Sequence, residues 1–141
     1  MQDEVRRIVL DTNCLLAILP SRSPYHMVWT DFLDYKIELC VSPEILLEYE
    51  EILSQKASLQ IAEIVLKVLA TRRNVKKIEP SWRFNMIKSD PDDNKFVDCA
   101  ICGNAEFIVS NDSHFNSVKE IDFPIIAVLK IQEFVELLLR Q

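Results

Sequence analysis

The chain has 141 residues, 49% hydrophobic and 27% charged, with a formal charge of −6 and a pI near 4.9. That size and mix suit a single globular domain spanning residues 1–141 with a core of its own. The acidity argues against a protein that holds nucleic acid by bulk electrostatics, but leaves room for an enzyme that gathers its acids in one pocket.

Membrane and export signals are absent from the pattern. The longest apolar runs, such as "IVL" at 8–10 and "LLL" at 137–139, fall far short of the roughly 20 residues a spanning helix needs. The opening "MQDEVRRIVLDTN" places acids before its basic pair and soon turns polar, which is not the order of a secretory signal. A cytoplasmic protein with no membrane contact is expected.

In chain order, "RRIVLDTN" offers a short apolar strand ending in a polar turn, and "LCVS" at 39–42, "NVKKIE" at 74–79, "EFIVSND" at 106–112 and "PIIAVL" at 124–129 repeat the theme. Helical length and spacing occupy Tyr25–Tyr35, Pro43–Gln55, Leu59–Arg72, Asp93–Asn104 and Ile131–Arg140. Strands alternating with amphipathic helices predict βαβ crossovers, a mostly parallel sheet and helices on both faces, an α/β/α sandwich.

Several chemistries are disfavoured by what is missing. Cys14, Cys40, Cys99 and Cys102 sit in or beside apolar segments, which favours buried, reduced thiols over a disulfide framework. Cys99-x-x-Cys102 has no second pair at zinc spacing, and His26 and His114 are isolated in sequence. A thioredoxin-type redox pair would open a helix, whereas this pair falls well inside one. The one glycine, Gly103, stands where a helix C-terminal cap is the ordinary reading, and glycine-rich phosphate loops are excluded.

In open α/β sheets the ligand crevice lies beyond the carboxyl ends of the strands. Asp11 follows "IVL" and Asp112 follows "FIV"; each is also a good helix cap or turn residue, and both readings stand. In "SPEILLEYEEILSQ" the residues Ile45, Leu46, Tyr49, Ile52 and Leu53 form one apolar stripe. Glu48 lies at its border, while Glu44, Glu50 and Glu51 turn toward solvent. Within "DPDDNKFVDC", Asp92 and Asp93 occupy a helix start, where negative charge suits the dipole. Asp98 falls on an apolar helix face, where an unpaired carboxylate is costly and wants a cation. Lys95, three residues earlier, is one candidate, and a metal ion shared with other carboxylates is another. Asn94, one turn back on the same face, could add an amide oxygen or hold a water. Asp90, Asp92 and Asn94 match the opening of a calcium loop, but its required glycine and final glutamate are replaced by Lys95 and Ile101.

Asp11, Glu48, Asp98 and Asp112 are thus expected to converge at one sheet edge. Oxygen donors suit Mg2+ or Mn2+ better than zinc, and phosphodiester hydrolysis is the chemistry such ions usually serve, singly or as pairs about 4 Å apart.

The blocks "IVLDTN", "SPEILLEYEEIL" and "DPDDNKFVDCAICGNAEFIVSND", in that order and nearly spanning the chain, resemble the PIN-domain ribonucleases, and within them the VapC-like toxins of type II toxin–antitoxin modules. The resemblance implies a parallel five-stranded sheet in an α/β/α sandwich, often dimeric. It places the acidic quartet on Asp11, Glu48, Asp98 and Asp112 as ligands of Mg2+ or Mn2+, with attack by a water the ion activates. Asn13, Asp93, Asn94 and Ser110 match supporting positions that orient ligands or phosphate; the serine of "SND" replaces the more usual threonine before the final acid. A metal-dependent endoribonuclease cutting single-stranded RNA follows, with a cognate antitoxin as partner. Arg72, Arg73, Lys76, Lys77 and Lys95, with Arg6, Arg7 and Lys56, are then candidates to hold the RNA backbone, although "TRRNVKK" reads equally well as a solvated turn.

Three other readings are distinct: a structure-selective DNA nuclease with similar acids, a catalytically silent metal-binding interaction domain, and a signalling receiver domain. The receiver design expects adjacent acids after the first strand, where only Asp11 stands.

Overall fold

The computed structural model describes residues 4–80, 83–85, 87, 91–119 and 126–140. Five strands, β1 (Arg6–Leu10), β2 (Ile37–Val41), β3 (Val75–Lys77), β4 (Phe107–Val109) and β5 (Ala127–Leu129), pair in the order β3-β2-β1-β4-β5, every pair parallel. Seven α-helices accompany them among the described residues: α1 (Thr12–Ile18), α2 (His26–Leu33), α3 (Pro43–Lys56), α4 (Leu59–Thr71), α5 (Asn94–Cys102), α6 (Asn116–Lys119) and α7 (Ile131–Leu139). The result is a three-layer α/β/α sandwich with a fully parallel sheet. No described helix is long and apolar enough to cross a membrane.

The strands read as continuous apolar runs because both faces of the sheet are covered. Ile8, Val9, Leu39, Cys40, Val41, Ile108 and Val109 are all buried, as are Phe96, Val97 and Ala100 of α5, which packs against β1, β2 and β4. Each such aliphatic or aromatic side chain contributes about 1.5–3 kcal/mol over leaving it in water. All four cysteines are free thiols, with Cys102 alone partly exposed.

Helix starts follow their caps. Ser42 accepts from Ile45 N at 3.3 Å and precedes the N1 proline of α3, and Ser58 accepts from Ile61 N at 3.0 Å to start α4. The five helices and five strands expected from periodicity all occur, shifted by one to several residues. The segment expected as strand at 124–129 lies partly outside the described residues. Two short helices, α1 and α6, were not anticipated. Gly103 does end α5, but its φ is −88° and the left-handed conformation falls on Asn104. The glycine is needed for space: a Cβ there would lie 2.9 Å from the Cys99 carbonyl oxygen and 3.1 Å from Cys40 Sγ.

The chain builds outward from β1 in two directions, first through β2 to β3 and then through β4 to β5. The seam between β1 and β4, paired at Leu10 and Val109, is therefore the topological switch point, where a crevice opens beyond the strand ends.

Candidate active site

Asp11 and Asp112 stand at that seam. Asp11 leaves β1 with extended backbone and caps α1, accepting from Cys14 N at 2.8 Å. Its other carboxylate oxygen accepts the Ser110 hydroxyl from the end of β4. Ser110 Oγ in turn accepts from Asp112 N at 3.0 Å, and Asp112 accepts from His114 N at 2.9 Å, capping the short 3-10 turn Ser113–Phe115. Both readings left open for these acids hold together, since each caps a turn and also lines the cleft.

Glu48 arrives from α3. The buried Tyr49 donates its hydroxyl to the Leu10 carbonyl, pinning α3 to the end of β1. The preceding residue, Glu48, then meets α1, where it accepts the Thr12 hydroxyl, and α5, where Lys95 Nζ lies 2.8 Å from its other oxygen. Lys95 also lies 3.1 Å from Asp92, so it serves Glu48 and Asp92 instead of Asp98.

A cleft of about 260 Å³ is lined by Asp11, Thr12, Asn13, Glu48, Ile52, Lys56, Asp93, Phe96 and Asp112. Asp98 is not among its walls. Although 3% exposed, Asp98 turns to the segment before α5, where it accepts from Phe84 N at 2.9 Å. Asp93, expected only as a supporting residue, does line the cleft. Five residues apart on a helix is a rotation of about 140°, so the two acids cannot face the same way. The carboxylate of Asp93 does not cap α5; its Oδ2 lies 3.3 Å from His114 Nδ1.

Asn94, expected to orient ligands, instead clamps the backbone of Ile87, accepting from its N–H at 2.8 Å and donating to its carbonyl at 2.9 Å. The basic cluster is also displaced. Arg72 donates to the Leu33 carbonyl at 2.7 Å, and both Arg72 and Arg73 stack on Tyr35, at the amino ends of the strands, opposite the cleft. Arg6 and Arg7 begin β1 at that same edge and pair with Glu106 and Glu38. Lys76 joins Glu38, and Lys77 donates to the Ala70 carbonyl at 2.9 Å. Of the basic residues singled out, Lys56 lines the cleft and Lys95 reaches it through Glu48.

Burial raises the Asp11 carboxyl above its ordinary range, with the hydrogen bonds from Ser110 and Cys14 acting against the rise. Desolvation acts to lower the Lys95 ammonium, but its bonds to Glu48 and Asp92 outweigh that and raise it. The fold thus concentrates carboxylates at a net electrostatic cost, which a divalent cation would relieve. One ligand atom each from Asp93, Asp112 and His114 lie within 4.8 Å of one another, and Asp11 and Glu48 line the same cleft. The donor set fits a divalent ion. His114 escaped the sequence reading because its partner Asp93 is 21 residues away; its position two residues after Asp112 was the available signal.

An α/β/α sheet with carboxylates gathered at its switch point places acidic side chains where open α/β sheets bind ligands. This chain belongs to the PIN domain family, whose model matches residues 7–114. No curated protein matches it by sequence. Solved structures similar to it include VapBC2 from Rickettsia felis bound to a DNA fragment from their promoter, at 18% identity and TM-score 0.58, covering 88% of this chain and 98% of that one. VapBC-1 from nontypeable Haemophilus influenzae has 12% identity and TM-score 0.60, covering 89% and 98%. The PIN domain endonuclease Utp24 has 17% identity and TM-score 0.54, covering 88% and 84%. Likeness at these identities speaks for the shared fold.

Proposed function

We propose that this protein is a Mg2+- or Mn2+-dependent endoribonuclease that hydrolyses single-stranded RNA, with Asp11, Glu48, Asp93 and Asp112 as the metal-holding acids. The observation that carries the reading is their meeting in one cleft at the switch point, from four separate elements. Membership of the PIN domain family supports it, as does the likeness to a PIN domain endonuclease. A bound divalent ion supplies Lewis acidity and charge neutralisation for attack of water on a phosphodiester.

The chain's own residues prepare that chemistry. Ser110 and the Cys14 amide fix Asp11, Thr12 and Lys95 fix Glu48, and the backbone turn after β4 fixes Asp112. Such supports keep donors in place before substrate arrives, which lowers the reorganisation needed during reaction. Lys56 and Lys95 offer positive charge to the phosphates flanking the scissile bond.

The likeness to VapBC2 and VapBC-1 supports a role as the toxin of a toxin–antitoxin pair, restrained by a cognate antitoxin; assembly as a homodimer is part of the proposal and rests on the family resemblance alone. The test is cleavage of labelled single-stranded RNA and single-stranded DNA by purified protein with Mn2+, with Mg2+ and with EDTA. Metal-dependent cleavage of RNA, lost in Asp11→Asn, is expected; cleavage persisting in EDTA or in that variant, or confined to DNA, contradicts the proposal.

A further inference from the structure

His114 brings a nitrogen donor to a site otherwise built from oxygen. Its Nδ1 lies 3.3 Å from Asp93 Oδ2 and 3.2 Å from Asp112 Oδ1. The three residues reach this point from the start of α5 and from the turn after β4, so the meeting is made by tertiary structure and does not come from one local motif. Adjacent ligands around an octahedral cation at about 2.2 Å are roughly 3.1 Å apart, given the bond lengths divalent ions take in such sites. The observed separations match adjacent positions on such a polyhedron.

We propose that His114 is a ligand of the divalent ion held by Asp93 and Asp112, and that its imidazole biases the site toward Mn2+ and Co2+ over Mg2+. This rests on the metal-dependent reading of the cleft given above. Imidazole is a softer donor than carboxylate and binds later first-row ions in preference to Mg2+, which keeps its water and prefers oxygen. Asp11 and Glu48 line the same cleft and would be the further protein donors available to such an ion.

A different arrangement gives the same distances: a charged imidazolium lying between two carboxylates as their counter-ion. It makes the opposite prediction, because a resident cation competes with metal, and removing it tightens metal binding.

The two are separated by calorimetric titration of wild type, His114→Ala and His114→Gln with MnCl2, CoCl2 and MgCl2, together with pulsed EPR of the Mn2+-loaded wild type. Loss of the ligand is expected to weaken Mn2+ and Co2+ roughly tenfold or more, the scale seen when even a supporting partner of a metal ligand is lost, with a smaller change for Mg2+. The EPR spectrum should show nitrogen coupling that disappears in His114→Ala. Unchanged or tighter Mn2+ binding by the variants, or no nitrogen coupling in the loaded wild type, overturns the assignment. Failure of the wild type to bind any of the three ions overturns both the assignment and the reading beneath it.

Discussion

Ser110 donates its hydroxyl to the Asp11 carboxylate across the β1–β4 seam and accepts from Asp112 N at 3.0 Å. One buried side chain, 2% exposed, therefore sets the relative position of two acids 101 residues apart in the chain. Ser110→Ala removes a bond that works against the rise in the Asp11 pKa and leaves the Asp112 amide without that acceptor. The expected result is a stability loss of about 1–2 kcal/mol and a clear fall in kcat, whereas Ser110→Thr, which keeps the hydroxyl, retains most of both. Thermal unfolding and steady-state cleavage check this.

Lys95 holds Glu48 in the absence of a divalent ion. Lys95→Met leaves Glu48, among the described residues, with the Thr12 hydroxyl as its remaining support. Its Tm in EDTA should fall by roughly 2–6 °C, and saturating Mn2+ should recover more of the loss than it adds to the wild type. Differential scanning fluorimetry with and without metal measures both.

Asp98 accepts from the Phe84 amide and does not line the cleft, and pH exposes what that placement costs. Burial raises its carboxyl above the ordinary value, with the Phe84 amide acting to lower it. A raised pKa in the fold means that the ionised form carries a stability penalty, present above the raised value and absent below the ordinary one. Asp98→Asn keeps an oxygen to accept from Phe84 N and cannot ionise. The Tm of the variant minus that of the wild type should therefore be most positive near pH 7 and decrease steadily toward pH 4; a flat difference across that range contradicts it.

Position on the sheet separates the basic residues. Arg72 and Arg73 stack on Tyr35 at the edge away from the cleft, so their alanine variants should change kcat/KM for RNA by less than about twofold. Lys56→Ala should raise KM and reduce the slope of log KM against log salt by about one phosphate contact.

The sequence already exposed the elements whose signals are local. Apolar runs marked the strands, periodicity marked five helices, and the position of Glu48 beside the Ile45–Leu53 stripe placed it at the cleft. The position of Asp98 outside the cleft lining has a specific cause. Asp98 does lie on a buried face, as its helical wheel shows, but burial alone does not say what a carboxylate meets. Its partner is a backbone amide fourteen residues earlier, in a segment with no periodic signal, docked by the Asn94 clamp on Ile87. Asp93, read as a supporting residue at a helix start, turns into the cleft because the 3-10 turn Pro91–Asp93 delivers it at the sheet edge. Likewise "TRRNVKK" carries charge that composition detects, but only strand direction shows that its arginines precede β3 and so face the wrong end of the sheet.

The central claim is that Asp93, and not Asp98, completes the acidic site. Cleavage of single-stranded RNA with Mn2+ by Asp93→Asn and Asp98→Asn, both verified as folded by circular dichroism, tests it most directly. The account predicts a loss of about a hundredfold or more for Asp93→Asn, as befits a group acting on the reacting centre, and activity within a few-fold of wild type for Asp98→Asn. A fully active Asp93→Asn beside an inactive, folded Asp98→Asn would contradict it.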